Sequence, residues 1–196
     1  MAARVSDELE TWIEGDGKKT LGGLIDVFEK RAFAIVFVML LGVPALPIPT
    51  GGATHMFEVI AVLLALELIV GRDEIWLPRR WRERTLDTEG RFVRSLLRTI
   101  RRMERFSRPR FTFVFGHRLS NVVFGVLVAG GSVAAFLAPP FTGLDTLPAL
   151  GVVLLSLGVL LEDLVLAVLG VVVGAAGVLV AIVLGSAALD AIKGLF

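Results

Sequence analysis

The most constraining feature of this chain is a helix-breaking pair, Pro139-Pro140, followed by Gly143, inside a stretch otherwise apolar enough for lipid. That stretch runs from Leu137 to two adjacent carboxylates, Glu162 and Asp163. Lipid offers no hydrogen bonds, so backbone released from a helix at membrane depth must be sheltered by protein or line a cavity. The stretch is therefore expected to be a broken, hairpin-like element and not a plain span. A similar order occurs earlier: residues 46–74 read Leu-Pro-Ile-Pro-Thr-Gly-Gly, an apolar run, and then Gly71-Arg72-Asp73-Glu74. Each copy follows an apolar arm that opens on an arginine, Arg31 in the first and Arg118 in the second. Interrupted hydrophobic segments at matching places in two halves point to a transporter-like core built by duplication.

With 55% hydrophobic residues and a mean hydropathy of +0.79, the chain is too apolar for an ordinary soluble domain. The expected class is an all-α polytopic membrane protein, one membrane domain over residues 1–196. Between Arg79 and Arg118 lie thirteen arginines against four acidic residues, a net charge of +9. Such a block stays in the cytoplasm, so a multi-pass protein of the bacterial inner membrane is expected, with its 79–118 segment cytoplasmic. Cysteine is absent, which removes thiolate nucleophiles and Cys-ligated metals from consideration. Asp7, Glu8, Glu10, Glu14 and Asp16 precede any apolar run, the wrong order for a cleavable signal peptide.

Residues 5–30 carry Leu21, Leu24, Ile25 and Phe28 at helical spacing, expected as a short amphipathic helix on the membrane or on the protein's own cytoplasmic face. The first broken hairpin is placed at 32–70. Its arms, Ala32–Leu46 and Met56–Val70, reach roughly 22 Å each as helices, short of the about 30 Å of a full crossing. In segment 76–110, Trp76 and Trp81 form an interfacial anchor. There Arg91, Arg94, Arg98, Arg101, Arg102, Arg105 and Arg108 share one side of a helical wheel. Phe92, Val93, Leu96, Leu97, Ile100, Met103 and Phe106 share the other. This predicts a helix in the membrane plane, apolar side down, attracted to anionic lipid. Nucleic-acid binding is not expected, because the aromatic residues lie opposite the charges. Glu89 and Glu104 fall within or beside the apolar arc as exceptions. The second broken hairpin is placed at 119–161, and a last membrane segment at 164–185. That segment carries Gly170, Gly174, Gly177, Ala181 and Gly185 as one stripe for close helix packing, within the protein or across a homodimer seam.

Three passages together resemble the ExoD family of bacterial inner-membrane proteins associated with exopolysaccharide synthesis. They are Thr20-Leu21-Gly22-Gly23-Leu24-Ile25-Asp26 to Lys30-Arg31, Leu66-Glu67-Leu68-Ile69-Val70-Gly71-Arg72 to Trp76-Leu77-Pro78-Arg79, and Pro139-Pro140-Phe141-Thr142 to Glu162-Asp163. This chain departs from the family pattern in carrying Glu67 where Gln is common and Leu164 where Gly is common. The resemblance implies a pathway and a membrane location, not a reaction. The doubled hairpins are also similar in outline to the re-entrant elements of DedA-type carrier-lipid translocases, an analogy of fold alone.

Carboxylates at membrane depth are costly and mark function by default. Glu58 is the leading proton-coupling candidate, the alternative being a neutral group hydrogen-bonded to freed backbone. His55 joins it because imidazole titrates near neutrality. Glu67, Glu162 and Asp163 complete that set, with pairing to Arg72 or to the arginine block as their competing role. The unwound tips, Pro47, Pro49, Thr50, Gly51, Pro139, Pro140, Thr142 and Gly143, are candidates to hold a headgroup. Arg31 and Arg118 either attract its phosphate or mark the interface. No metal site, cofactor or enzymatic step is expected: His55 and His117 stand without a ligand motif. Ser120, Ser132 and Ser156 lack an elbow or paired base, and no phosphate-binding glycine loop is present. The function expected is handling or translocation of a lipid-linked or anionic lipid substrate in exopolysaccharide synthesis. The alternative is a non-catalytic scaffold recruiting synthesis enzymes or anionic lipid through the arginine helix.

Overall fold

The computed structural model describes residues 4–17, 19–28, 31–46, 54–72, 74–86, 91–107, 114–115, 117–138 and 142–193. Among them the regular structure is helical: α1 (Val5–Glu14), α2 (Leu21–Phe28), α3 (Ala32–Leu41), α4 (His55–Val70), α5 (Arg79–Arg82), α6 (Arg91–Phe106), α7 (Arg118–Leu137), α8 (Thr146–Leu160) and α9 (Leu164–Lys193). The first two breaks expected from proline and glycine fall chiefly at 47–53 and 139–141, which lie outside the described residues.

α3 is apolar on every face, and a helix of that kind belongs in a protein core or in lipid; here protein surrounds it. Eight of its ten residues are buried, with α2, α4 and α8 packed around it. Its length of about 15 Å is half a membrane crossing. α4 and α7 are two-faced instead. Met56, Val59, Leu63, Leu66 and Val70 form an exposed stripe on α4, while Leu119, Val123, Val126, Val133 and Leu137 form one on α7. Their opposite sides meet at Gly125, where an added Cβ would come within 3.0 Å of the Ala65 carbonyl. The packing is crosswise: α3 lies chiefly on α8, and α4 chiefly on α7. Phe37 of α3 meets Phe124 of α7 edge to face, with centroids 5.7 Å apart, and ties the two pairs together.

Two helices, α7 and α9 through Leu184, are long and apolar enough to cross a membrane. The small-residue stripe of α9 is used inside the chain, against α8. A Cβ on Gly151 would lie 2.3 Å from the Gly174 Cα, and one on Gly170 would lie 2.2 Å from the Leu155 nitrogen. Gly177 meets Leu147 and Pro148 at the far end of the same seam.

The polar end decides one expectation and corrects another. Residues 5–30 form two helices, and of the two surfaces expected under the stripe it is the protein's own: Leu24, Ile25 and Phe28 are buried in its core. The apolar side of α6 does not lie free for the membrane either: Leu96 and Ile100 are buried, and α1 packs across the helix with Val5 and Leu9 buried in the same core. Glu104, the exception on the wheel, accepts hydrogen bonds from the Ser6 backbone N–H at 3.0 Å and from the Ser6 hydroxyl. It satisfies a free N–H in the first turn of α1, where Arg4 offers no side-chain cap. Arg101 pairs with Glu10 beside it. Residues 19–21 and 84–86 clamp α2 to the chain ahead of α6, through Leu21 N–H to the Arg84 carbonyl at 3.0 Å and Leu86 N–H to the Lys19 carbonyl at 2.7 Å.

Gly151→Ala is expected to destabilise the protein by about 1–3 kcal/mol, because backbone and not a flexible side chain fills the space. Gly130→Ala, with nothing within 4 Å of the added Cβ, should be neutral or stabilising by up to about 1 kcal/mol. Thermal unfolding in detergent distinguishes the two.

Candidate functional site

At the bases of the hairpins, α4 and α8 end in the same way. Gly71 N–H donates to the Leu68 carbonyl and Arg72 N–H to the Glu67 carbonyl, each at 3.1 Å. Glu162 N–H donates to the Val159 carbonyl at 3.3 Å and Asp163 N–H to the Gly158 carbonyl at 2.8 Å. Both are Schellman closures, which need a left-handed residue. Gly71 supplies it at φ 92° and Glu162 at φ 53°. A non-glycine residue there costs about 1–2 kcal/mol.

An arginine sits over each closure. Arg31 Nη2 is 2.7 Å from Glu162 Oε1, each side chain about one-third exposed at 32%, and such a pair contributes up to about 1 kcal/mol. Arg118 lies against Gly71, its Nη2 3.0 Å from where a Cβ would stand. Glu162 therefore pairs with the arginine opening the other hairpin, not with Arg72 or the arginine block. Glu67 does not meet an arginine among the described residues either: its carboxylate accepts from Trp76 N–H at 2.9 Å and folds the 71–78 segment back. Asp163 is buried and caps α9, accepting from Val165 N–H at 3.0 Å and Leu166 N–H at 3.4 Å.

The tips form the other pole. Phe136 at the end of α7 meets the His55 ring at the start of α4, with centroids 5.3 Å apart. His55 Nδ1 is 2.7 Å from Glu58 Oε2. Glu58 is fully buried, and its Oε1 has no hydrogen-bond partner among the described residues. Asp145, the residue before α8, is near enough for its charge to act on Glu58. Ser132 is also fully buried, its hydroxyl without a hydrogen-bond partner among the described residues. It stands one turn from Phe136 on the α4-facing side of α7, between the Phe136–His55 and Gly125–Ala65 contacts that bracket Glu58.

The expected set thus divides. Glu58 and His55 are brought together, while Glu67, Arg31, Glu162 and Asp163 hold helix ends. Thr142 is exposed and its hydroxyl accepts from Leu144 N–H at 3.4 Å, and Gly143 has φ 70°. Pro47, Pro49, Thr50, Gly51, Pro139 and Pro140 lie outside the described residues. Asp145 and Ser132 join the tip although sequence reasoning assigned them no part in it. The available signal was a carboxylate just before Thr146 and a hydroxyl within the α7 apolar run. Among the described residues no group of three or more His, Cys, Asp or Glu side chains could hold a metal ion.

Asp163→Asn should retain the cap, the fold and normal polysaccharide output, whereas Asp163→Ala should lose about 1 kcal/mol of stability. Unfolding in detergent and polysaccharide yield measure the pair. A folded Asp163→Asn protein with lost output would return Asp163 to the proton-coupling set.

Comparison with known proteins identifies the family of the chain. The family model described as "Exopolysaccharide synthesis, ExoD" matches residues 5–183. The chain is 32% identical over 166 residues to the uncharacterized protein slr1875 of Synechocystis sp. (strain ATCC 27184 / PCC 6803 / Kazusa), covering 82% of this chain and 77% of that one. It is 28% identical over 148 residues to Protein ExoD of Rhizobium meliloti (strain 1021), covering 74% of this chain and 61% of that one. No solved structure matches. The family match across nearly the whole chain, with the three passages and two membrane-length helices already described, means that this chain belongs to the ExoD family of exopolysaccharide synthesis proteins.

Proposed function

We propose that the protein handles or translocates a lipid-linked or anionic lipid substrate during exopolysaccharide synthesis, as a multi-pass protein of the bacterial inner membrane with its arginine-rich end in the cytoplasm. The observation that carries this reading is Glu58, a fully buried carboxyl paired with His55 and retaining one oxygen without a hydrogen-bond partner among the described residues. A buried group of that kind costs stability, and such a cost marks a functional candidate. Reversible protonation of the Glu58–His55 pair is the step a proton-coupled carrier needs.

The proposal includes a duplicated core of two broken hairpins, α3–α4, which is re-entrant, and α7–α8. Three features support it. Each first helix opens on an arginine, each second helix ends in a Schellman closure, and the first helix of each hairpin packs chiefly on the second helix of the other. α3 at about 15 Å is too short to cross, which suits a hairpin returning to the side it entered. Substrate would meet the tips, where Thr142 and Gly143 lie beside Asp145.

A scaffold reading draws on a different observation. With α1 packed on α6 where Leu96 and Ile100 are buried, Arg98, Arg102 and Arg105 lie on an exposed face suited to an anionic lipid or a partner enzyme. Under that reading charge reversal along 91–108 abolishes polysaccharide output and tip substitutions are tolerated.

The test is Glu58→Gln, which keeps shape and removes the titrating proton. In protein-loaded vesicles, transbilayer movement of a labelled carrier lipid should fall to the protein-free background, and polysaccharide output should fall in cells at normal protein level. Movement at the unsubstituted rate would defeat the proposal.

A further inference from the structure

The two hairpin bases match in backbone but not in charge. At one, Arg31 is neutralised by Glu162, the left-handed residue of the closure. At the other, the left-handed residue is Gly71, which has no side chain to offer, and Arg118 lies directly on it. Arg72 follows Gly71, so two arginines flank one peptide. Both are exposed, and neither side chain has a carboxylate or hydrogen-bond partner among the described residues.

Beside them opens a groove of about 460 Å³ lined by Arg72, Glu74, Ile75, Trp76, Leu77 and Arg82. Arg82 is already committed to Asp26, and Glu74 is the acidic member of the lining. Glu67 holds Trp76 N–H and with it the shape of this wall. The exposed Trp76 ring is of the kind that sits at headgroup level. A guanidinium fork holds two oxygens of a phosphate or a carboxylate at a time, and the further oxygens of a phosphate leave acceptors for a second arginine.

We infer that Arg118 and Arg72 form a phosphate-binding site at the base of α4, and that it is one-sided because Glu162 occupies the matching position at the base of α8. The ligand is a phosphate ester carried by a lipid or phosphate itself. The inference deepens the proposed lipid handling and rests on it for the physiological carrier of that phosphate. It adds a second contact, headgroup capture at the base of one hairpin, at the other end of α4 from the tip where the substrate would meet Glu58.

The experiment uses the full chain in phosphatidylcholine nanodiscs, with binding of dihexanoyl phosphatidic acid read by calorimetry and by tryptophan fluorescence. Arg118→Gln and Arg72→Gln should each weaken binding by at least about tenfold, a change of about 1.4 kcal/mol. The paired change Arg31→Gln with Glu162→Gln should leave it within about twofold, leaving no unpaired charge behind. Gly71→Glu should abolish binding, while Gly71→Asn, which also tolerates a left-handed backbone, should retain it. Displacement by inorganic phosphate would show that the phosphate group alone is recognised, and failure to displace would show that the lipid must present it; both support the site. Unchanged binding in Arg118→Gln, or equal loss in the Arg31/Glu162 pair, would overturn it. Binding is read at equilibrium, so this result and that of Glu58→Gln on lipid movement fail independently.

Discussion

A ten-residue helix with apolar side chains on every face, α3, is enclosed by protein, and the other helices are arranged around it. It cannot cross a bilayer at about 15 Å, and it has no polar side to turn toward water. α8 and α4 therefore close over it, and α7 closes over α4. The same shielding leaves the start of α4 buried under the end of α7, and Glu58 is held there with His55 as its partner.

Most of the acidic residues that stand out in this apolar sequence have an architectural use. Glu104 and Asp163 satisfy free N–H groups at the starts of helices, and Glu67 holds the backbone of Trp76. Glu162 pairs with Arg31 across a left-handed closure, and Glu10 and Asp26 pair with arginines of α6 and α5. Against that pattern Glu58 differs, because burial is complete and one oxygen stays without a partner among the described residues. The functional reading rests on this contrast and not on the number of carboxylates.

Much of the fold was legible because helix periodicity and chain breakers are local. The arms beginning at Ala32 and ending at Val70 became α3 and α4, and the apolar run after Arg118 became α7. The glycine stripe of the last segment did mark a close approach, at Gly170, Gly174 and Gly177. The two faces of α6 were equally plain. What covers its apolar face was not, since a membrane surface and α1 present the same chemistry to Leu96 and Ile100. The acidic spot at Glu104 was the one local sign that another helix end would be placed there. At the candidate site, His55 and Glu58 share a helix at neighbouring turns, so their meeting was readable, whereas Asp145 precedes α8 and Ser132 lies on α7.

The sequence alone determined the membrane-like character of the chain, where its long apolar helices lie, the two faces of α6, and its likeness to the ExoD family. Each of these follows from neighbours within a few positions. Only the tertiary structure decided that Arg31 meets Glu162, 131 positions away, that Arg118 meets Gly71, and that Glu104 caps α1. A charged side chain specifies the sign of a partner but not its place, and that place was fixed by which helices close around α3.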